Sequence, residues 1–508
     1  MSDSLLHWKM EIIILLFLLL LFPVVFIFLN QWHETTTKRT RFPPGPRGLP
    51  LIGNLHQFDS LNPHLFLYNL SKKHGPLISL KLGRVQLIVV SSAKIAKEVF
   101  TTNDIVTSNR PNRTGTQKLS YDGHDIGFSA YSDCWREMRK LVVTRLLSVN
   151  QVNSSTLIRR DEVFHMIEDV SKKADEVEHI NLSETLINMS SSIICRTAFG
   201  KSYRESSTVK RAVDEVGHEA VVIMGGFFLA DYFPLFGWID KVTGKISRLD
   251  KCFEILDSFY QELIDEHMSS NRPQAMEGDI LDTLIKMKEG NTRSMDISCD
   301  CIKAILMNIS IGGTDTGSVL ITWAMTALMK APEAMRRVQQ EIRSIVGKKP
   351  LLDEDDIQKF PYFKAVIKEV LRLYPPVPLL PRETTERCFI DGYEIQPKTS
   401  VYVNIWAIGR DPEYWENPNE FLPDRFLNST IDYKGRDFGL IPFGSGRRSC
   451  PGMFLGVAVT ELALANLLYA FDWELPDGMT EEDVNTDSFP GMAMHKKIPL
   501  CLIAKRHI

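Results

Sequence analysis

Cysteine pairs, basic tracts and low-complexity segments are all missing from this chain of 508 residues. Its eight cysteines form no C-x-x-C pair and no regular framework, which argues against a disulfide scaffold or a zinc site and indicates a reducing compartment. No Lys/Arg-rich block occurs and the net charge is −4, so nothing indicates nucleic-acid binding. The absence of a Ser/Gly-rich linker or an internal repeat beyond residue 56 favours one large domain.

Charged side chains are also missing from residues 12–29, where every position is apolar. A helix of this length rises roughly 27 Å, about the thickness of the hydrocarbon core of a membrane. A secretory signal peptide is the competing interpretation, but its apolar core is usually shorter and no small-residue cleavage site follows here. We therefore expect residues 1–34 to form a transmembrane signal anchor.

Basic residues beside this segment predict its orientation. Lys9 is the one lysine or arginine before the apolar run, whereas Lys38, Arg39, Arg41 and Arg47 follow it. By the positive-inside rule, the bulk of the chain then faces the cytosol. Its N-glycosylation sequons are therefore expected to stay unmodified.

A proline-rich stretch follows the predicted anchor. Residues 42–50 contain four prolines, which fix the backbone dihedral φ and remove hydrogen-bond donors. Such a stretch is stiff and extended, although an ordinary loop has a similar composition. We expect a hinge over residues 35–55 between the anchor and the domain.

Helical periodicity dominates the remainder, residues 56–508. Ile305–Met329 reads as one long helix that ends before a proline, and Pro361–Tyr374 reads as a second. Short β-rich segments lie at Leu77–Val90 and around Cys388–Val403. The pattern predicts a mainly α domain with small β-sheets.

One cysteine stands in a turn rich in glycine and arginine. Cys450 has Arg448 two residues before it and Gly452 two residues after it, and Phe443 and Gly446 precede them at fixed offsets. Glycines let a backbone pass close to a flat macrocycle, and an arginine can pair with a haem propionate. A thiolate bound to haem iron favours O–O bond cleavage. The alternative is a surface turn with a chance cysteine.

The turn fits the pattern F-x-x-G-x-R-x-C-x-G without a mismatch. It resembles the haem-binding signature of the cytochrome P450 superfamily, the haem-thiolate monooxygenases, and most of all the microsomal plant enzymes of the A-type clan. The resemblance covers nearly the whole chain. It implies one large helical domain that encloses haem b, with Cys450 as the axial thiolate and residues 56–508 as the catalytic domain.

A second motif lies half-way along the long predicted helix. Gly312 and Gly313 cost the helix on the order of 1 kcal/mol each, so a close approach or a kink must require them. With Asp315 and Thr316 they resemble the oxygen-activation motif of the family, in which the threonine assists dioxygen activation and the acid relays protons. Gly317 departs from the usual Thr or Ser, with a widened pocket or altered proton delivery as the expected consequence. A helix kink with a satisfied Asp–Thr pair is the structural alternative.

Two further motifs resemble family elements that support the haem. Glu369 and Arg372 share one helix face, and with Arg425 they resemble a buried network on the thiolate side. Asp424 replaces the usual Glu beside that arginine. In isolation such a pair is more often a solvated surface contact.

The propionate contacts are also implied by resemblance. Trp135 and Arg139 lie one helical turn apart, so both can donate to one carboxylate. Arg382 and Arg448 resemble two further propionate contacts. Each motif is weak alone, and surface charge is the commoner explanation; their joint order along the chain carries the interpretation.

The resemblance places the substrate among apolar residues of the long helix, of the turn after the Glu369 helix and of a late turn. These residues are Ile309, Gly312, Gly313, Val377, Leu379, Leu380, Met492 and Ala493. None is charged, which predicts a lipophilic substrate. The aromatic segments 227–229 and 232–238 either dip into the bilayer or pack on the core.

The resemblance thus implies a single-pass enzyme of the endoplasmic reticulum membrane with its catalytic domain in the cytosol. Electrons come from NADPH through a reductase, with cytochrome b5 as a second donor, and a lipophilic small molecule of plant specialised metabolism is oxidised. One alternative is a haem-thiolate enzyme that converts aldoximes, dehydrates, isomerises or couples its substrate, which Gly317 slightly favours. A weaker one is a non-catalytic haem-binding membrane protein, against which Asp315 and Thr316 argue.

Overall fold

The computed structural model describes residues 42–176, 178–204, 209–210, 212–272, 277–290, 297–489 and 491–507. The predicted anchor, residues 1–34, and the first part of the predicted hinge lie outside these ranges.

Helices form most of the described chain. In chain order they are α1 (Pro63–His74), α2 (Ala93–Phe100), α3 (Thr114–Leu119), α4 (Asp133–Leu141), α5 (Val149–Ser154), α6 (Thr156–Asp175), α7 (Leu182–Phe199), α8 (Gly217–Met224), α9 (Leu229–Tyr232), α10 (Trp238–Val242), α11 (Lys245–Met268), α12 (Ile280–Glu289), α13 (Cys299–Met329), α14 (Pro332–Val346), α15 (Glu354–Ile357), α16 (Pro361–Leu373), α17 (Ile405–Ile408) and α18 (Met453–Ala470). Short π and 3₁₀ turns join several of them, including Gly446–Arg448 just before Cys450.

The strands are short and lie in small sheets. They are β1 (Leu77–Leu82), β2 (Val85–Val90), β3 (Ile180–Asn181), β4 (Leu379–Glu383), β5 (Cys388–Ile390), β6 (Tyr393–Ile395), β7 (Ser400–Asn404), β8 (Phe471–Glu474) and β9 (Cys501–Arg506). The largest sheet has the order β1-β2-β7-β4, in which β2 and β7 are parallel. The two β-rich segments predicted from the sequence are confirmed, and β3, β4, β8 and β9 lie outside them.

The long helix α13 begins earlier than its periodicity predicts. The Ser298 side chain accepts a hydrogen bond from the Cys301 N–H, which caps the helix at Cys299 instead of Ile305. Its end at Met329 agrees with the prediction, because Pro332 opens the next helix. The helix packs against α7 and α18 and crosses the core of the domain.

Two described helices, α13 and α18, are long and apolar enough to cross a membrane. In each, 67% of the most apolar window is buried inside the domain. Their hydrophobic surface therefore forms the core around which the rest of the chain packs.

Candidate active site

The Cys450 turn is closed by its own backbone and fixed by a neighbouring acid. The Cys450 N–H donates to the Phe443 carbonyl at 2.8 Å. Gly446 has a positive φ of 71°, and any Cβ there would collide with the carboxylate of Asp104. Asp104 in turn accepts from the Arg447 guanidinium at 2.9 Å. The turn therefore holds the cysteine in one place.

The environment of Cys450 suits a metal-bound thiolate. The residue is exposed by surface area, although it lies deep enough in the fold for burial to raise the pKa of its thiol. The Gly452 N–H and the charge of Arg139 act in the opposite direction. A Cβ at Gly452 would meet no atom within 4 Å, so a flat group can approach the backbone here. A cationic iron would complete the stabilisation of the thiolate.

Arginines crowd beside this turn. Burial, followed by repulsion from Arg110 and Arg382, lowers the pKa of Arg448 to about 8. Burial and repulsion from Arg382 lower the pKa of Arg110 to about 9, and burial also lowers the pKa of Arg139. Asp104 binds Arg382 at 2.9 Å. So many buried cations fit an anionic ligand, which the two propionates of haem b provide. The residues present therefore fit this cofactor.

Trp135 differs from its predicted arrangement. Its indole N–H donates to the Ile126 carbonyl at 3.0 Å, and the Arg448 guanidinium lies 3.8 Å from the ring centroid. Arg139 donates to the Ser449 carbonyl. The loop before α4 folds back over the indole, so Trp135 positions Arg448 by stacking in this structure instead of sharing an acceptor with Arg139.

On α13, the motif residues face two different sides. Gly312 is exposed in the middle of the helix, and a Cβ there would meet no atom within 4 Å. The Thr316 hydroxyl, one turn later on the same face, donates to the Gly312 carbonyl at 2.7 Å. The Asp315 carboxylate lies 3.4 Å from Nε2 of His495. Gly312, Asp315 and Thr316 thus border one accessible region.

Gly313 and Gly317 belong to the opposite side. A Cβ on Gly313 would overlap the side chain of Ile194 on α7, so close helix packing accounts for this glycine and corrects its assignment to the pocket. Gly317 is buried, with a Cβ position 3.6 Å from Oγ of Ser190 on α7. Its departure from the family pattern therefore does not widen the pocket on the Gly312 side. The helix also continues through both glycines without a break.

The remaining predicted pocket residues differ in their burial and in what they contact. Leu379 and Leu380 are adjacent on β4 and so point to opposite faces of the sheet. Leu380 contacts the Cys450 turn, because its Cδ1 lies 3.3 Å from the Cβ position of Gly444. Leu379 packs with the β1–β2 cluster instead. The others are Val377 and Met492, which are half-buried, and Ile309 and Ala493, which are buried.

Glu369, Arg372 and Arg425 meet in the interior, where Glu369 and Arg372 have no exposed side-chain surface. Both oxygens of Glu369 accept from Arg372 at 2.7 Å, and one accepts from Arg425 at 3.1 Å. Arg372 also donates to the carbonyls of Gly409 and Pro418 at 2.6 Å. The network fastens α16 to the segment that leads towards the cysteine turn.

Several residues near the site were not predicted from the sequence: Asp104, Arg110, Asp125, Asn308 and His495. Asn308 could have been singled out from the sequence, because it is a lone amide in the apolar run of α13. The others come from loops with no fixed spacing to a motif, so only the fold brings them together.

These features define a haem-thiolate enzyme, and comparison with known proteins agrees. The Cytochrome P450 family profile matches residues 43–502, and the chain belongs to this family. It is 46% identical to 5-OH-xanthotoxin synthase of Pastinaca sativa, over 97% of this chain and 99% of that one. It is 43% identical to strychnine-11-hydroxylase of Strychnos nux-vomica, over 94% of each chain.

A solved zebra fish cytochrome P450 with progesterone shares the fold, with a TM-score of 0.74 at 25% identity. That match covers 87% of this chain and 99% of the other. The predicted class is confirmed: the protein is a cytochrome P450 monooxygenase with haem and an axial cysteine thiolate, and it receives electrons from a reductase.

Proposed function

We propose that this monooxygenase hydroxylates an uncharged, polycyclic small molecule of plant specialised metabolism in the space beside Gly312. The exposure of Gly312 in the middle of a buried helix carries the proposal. Val377, Leu380 and Met492, which the family resemblance assigns to the same pocket, are half-buried and uncharged, which suits a lipophilic ligand. The relatives named above support it, since their names refer to 5-OH-xanthotoxin and to hydroxylation of strychnine.

The cofactor would be held by residues of the cysteine turn and of the arginine cluster. We assign the axial thiolate to Cys450, the adjoining backbone surface to Phe443 and Gly452, and the propionates to Arg139, Arg382 and Arg448, with Trp135 behind them. The network of Glu369, Arg372 and Arg425 would hold the cysteine turn in position. Haem with a thiolate ligand supplies the chemistry of O–O cleavage.

The protein must deliver protons to the reacting oxygen while it keeps bulk water out. Thr316 presents its hydroxyl on the face of Gly312, and Asp315 directly precedes it on the same helix. We assign Thr316 the role of orienting the oxygen by hydrogen bonding and Asp315 that of passing protons to it. The apolar side chains around them exclude water and hold the substrate in one orientation.

The cysteine assignment is tested with Cys450→Ser, and Cys134→Ser on α4 is the matched control because that cysteine is exposed. The reduced carbon monoxide complex of the control should keep a thiolate-type Soret band, and Cys450→Ser should lose it. A thiolate-type band in Cys450→Ser would overturn the assignment.

The activity is tested with membranes reconstituted with NADPH-cytochrome reductase, with xanthotoxin, strychnine and a plant extract as probes under ¹⁸O₂. A labelled product that requires NADPH supports hydroxylation. An NADPH-independent product without label would instead favour dehydration or isomerisation.

We also propose that residues 1–34 anchor the protein in the endoplasmic reticulum membrane, with residues 35–55 as hinge and 56–508 as the cytosolic catalytic domain. Exposed apolar side chains between α9 and α11 support contact with lipid: Leu235, Trp238 and Val242 are 79%, 60% and 76% exposed.

The orientation can be read from the exposed sequon asparagines Asn112 and Asn153. Both should remain unglycosylated in microsomes, whereas a sequon inserted before residue 12 should be modified. Glycans on Asn112 or Asn153 would reverse the proposed topology.

The surface beside the cysteine turn carries exposed basic side chains that suit redox partners. Arg136, Lys140 and Arg447 are exposed around the cysteine turn, and we propose that they dock an acidic surface of the reductase, and of cytochrome b5 in its turn. Charge reversal at Lys140 should slow reduction of the haem at low salt, and the difference should shrink as salt screens the contact.

A further inference from the structure

His495 is held over α13 by a well-fixed turn. The neighbouring Met494 N–H donates to the Pro376 carbonyl at 2.8 Å, and the Met494 carbonyl accepts from the Trp323 indole at 2.6 Å. Both bonds are made by buried groups, so the backbone before His495 has little freedom. The histidine is therefore placed by the fold and not by chance surface packing.

The imidazole of His495 links Asp315 to the surface. Its Nε2 lies 3.4 Å from Oδ2 of Asp315, and the two side chains are 21% and 15% exposed. On its other side, its ring is edge-to-face with His218 of α8 at a centroid distance of 6.1 Å. His218 is exposed. Two neighbouring imidazoles, one of them exposed, thus lie beside the acid of the oxygen-activation motif.

The other charges beside His495 are those of Lys496, Lys330 and Asp487. Burial, and then repulsion from Lys330, lowers the pKa of the adjacent Lys496 to about 8. The Lys496 ammonium donates to the Asn485 carbonyl and lies 5.2 Å from the Trp323 ring centroid, so its hydrogen bond points away from Asp315. Among the described residues, no basic side chain other than His495 lies within ion-pair distance of Asp315.

We propose that His495 is the group that reprotonates Asp315 during turnover, with His218 as its outer neighbour; this rests on the proton-relay role proposed for Asp315. Monooxygenation consumes protons together with electrons, so Asp315 must be recharged in every cycle. The proton leaves Nε2 of the imidazolium for Oδ2 of Asp315, and the imidazole regains a proton from solvent on its exposed side. A histidine suits this task because imidazole can release a proton from one ring nitrogen and take one up on the other.

The first test compares His495→Gln with His165→Gln. His165 is a matched control, because it also pairs with an acid, Asp161 at 3.7 Å, but on the exposed surface of α6. In reconstituted, haem-loaded enzyme oxidising NADPH without added substrate, His495→Gln should raise the peroxide released per NADPH about twofold, since slow proton delivery favours peroxide loss. His165→Gln should leave this ratio unchanged.

The outcomes distinguish failure of the His495 relay from failure of the role proposed for Asp315, on which the relay rests. If Asp315→Asn raises peroxide release and His495→Gln does not, the His495 relay is overturned while the role of Asp315 stands. If Asp315→Asn also has no effect, the proposed role of Asp315 fails, and the relay fails with it. In the Asp315→Asn variant, the additional change His495→Gln should not raise peroxide release per NADPH any further.

A second readout does not depend on turnover. A double-mutant cycle of His495→Gln and Asp315→Asn on thermal unfolding should give a larger coupling at about pH 6 than at about pH 8.5, because only a protonated imidazole attracts the carboxylate. Equal coupling at both values would mean that the contact carries no exchangeable charge, and the relay would be wrong.

Discussion

The Asn308 side chain bonds the carboxylate of Asp125 to helix α13, one turn before Gly312. Its Nδ2 donates to Oδ2 of Asp125 at 3.0 Å. Its Oδ1 accepts from the backbone N–H groups of Ile126 at 3.0 Å and Gly127 at 3.1 Å. One amide therefore satisfies three polar groups of the loop between α3 and α4.

This contact joins two parts of the site. The loop held by Asn308 supplies the Ile126 and Ser129 carbonyls, and both accept hydrogen bonds from Arg448. Asn308 therefore couples the arginine cluster to the helix that carries the oxygen-activation motif.

Asn308→Ala should loosen this loop and lower haem retention. The Ile126 N–H loses its acceptor, which costs about 1–3 kcal/mol. The Gly127 N–H and the Asp125 carboxylate each lose one bond but keep another partner. We expect a lower haem-to-protein ratio after purification and faster transfer of haem to apomyoglobin. The control is Asn466→Ala, because Asn466 is a buried amide that bridges the backbone of Leu352, remote from the arginine cluster. It should lower the melting temperature without faster haem loss; equal haem loss in both variants would contradict the coupling.

Gly312 and Gly313 form a natural matched pair for mutation. Gly312→Ala should raise the stability of α13 by up to about 1 kcal/mol, because alanine favours the helix and its Cβ meets no atom within 4 Å. Gly313→Ala should instead lower stability by about 1–3 kcal/mol, since its Cβ overlaps Ile194. Melting temperatures of the two haem-loaded variants test this difference.

A second substitution identifies the cause. In Gly313→Ala, the added change Ile194→Ala should recover part of the loss by making room for the methyl group, relative to Ile194→Ala alone. Gly312→Ala should also change substrate affinity, because its methyl group enters the accessible side of the helix. Similar stability of the two single variants would show that the helices adjust without strain.

The sequence predicted the helices and the two β-rich segments well, because hydrophobic periodicity and prolines record them locally. It also named the members of the Glu369 network, since the helical spacing of Glu369 and Arg372 survives in any packing. The start of α13 was missed because Ser298 and the polar residues after it hide the cap from a search for apolar periodicity.

Side-chain direction was harder to predict than position. The glycines of the α13 motif look equivalent in the sequence, yet Gly312 is open and Gly313 contacts Ile194. The arginine cluster draws Arg110 from a loop with no motif of its own, and His495 meets Asp315 across 180 positions of chain. Such contacts depend on tertiary packing, which one sequence does not record.

His64 gives the folded protein a defined sensitivity to acid. Burial, and then the charge of Arg410, lowers the pKa of this residue from 6.5 to about 4. Between these values the unfolded chain binds a proton that the folded protein does not, so stability rises with pH in this window and is lost on acidification. The loss of folding stability caused by His64 approaches roughly 3 kcal/mol at the acid end of this window.

His64→Phe should flatten the dependence of melting temperature on pH between about pH 6.5 and about pH 4. Phenylalanine fits because the imidazole already packs against the Trp406 ring at 5.7 Å. His165→Gln, on a histidine whose side chain is 42% exposed, should retain the slope of the parent protein. An unchanged slope in His64→Phe would mean that other groups govern acid unfolding.

Glu369→Ala should yield little haem-loaded protein. Removal of the carboxylate leaves Arg372 as a buried cation without its ion pair, which costs about 3–5 kcal/mol. Glu354→Ala is a matched control: it also deprives a fully buried arginine, Arg159, of its partner, but Glu354 is 27% exposed and lies on α15. Since water reaches the Arg159–Glu354 pair, Glu354→Ala should lower folding stability less than Glu369→Ala does. Its haem content per folded protein should stay near that of the parent. Equal haem content in the two variants would show that the Glu369 network supports the domain in general and not the cysteine turn in particular.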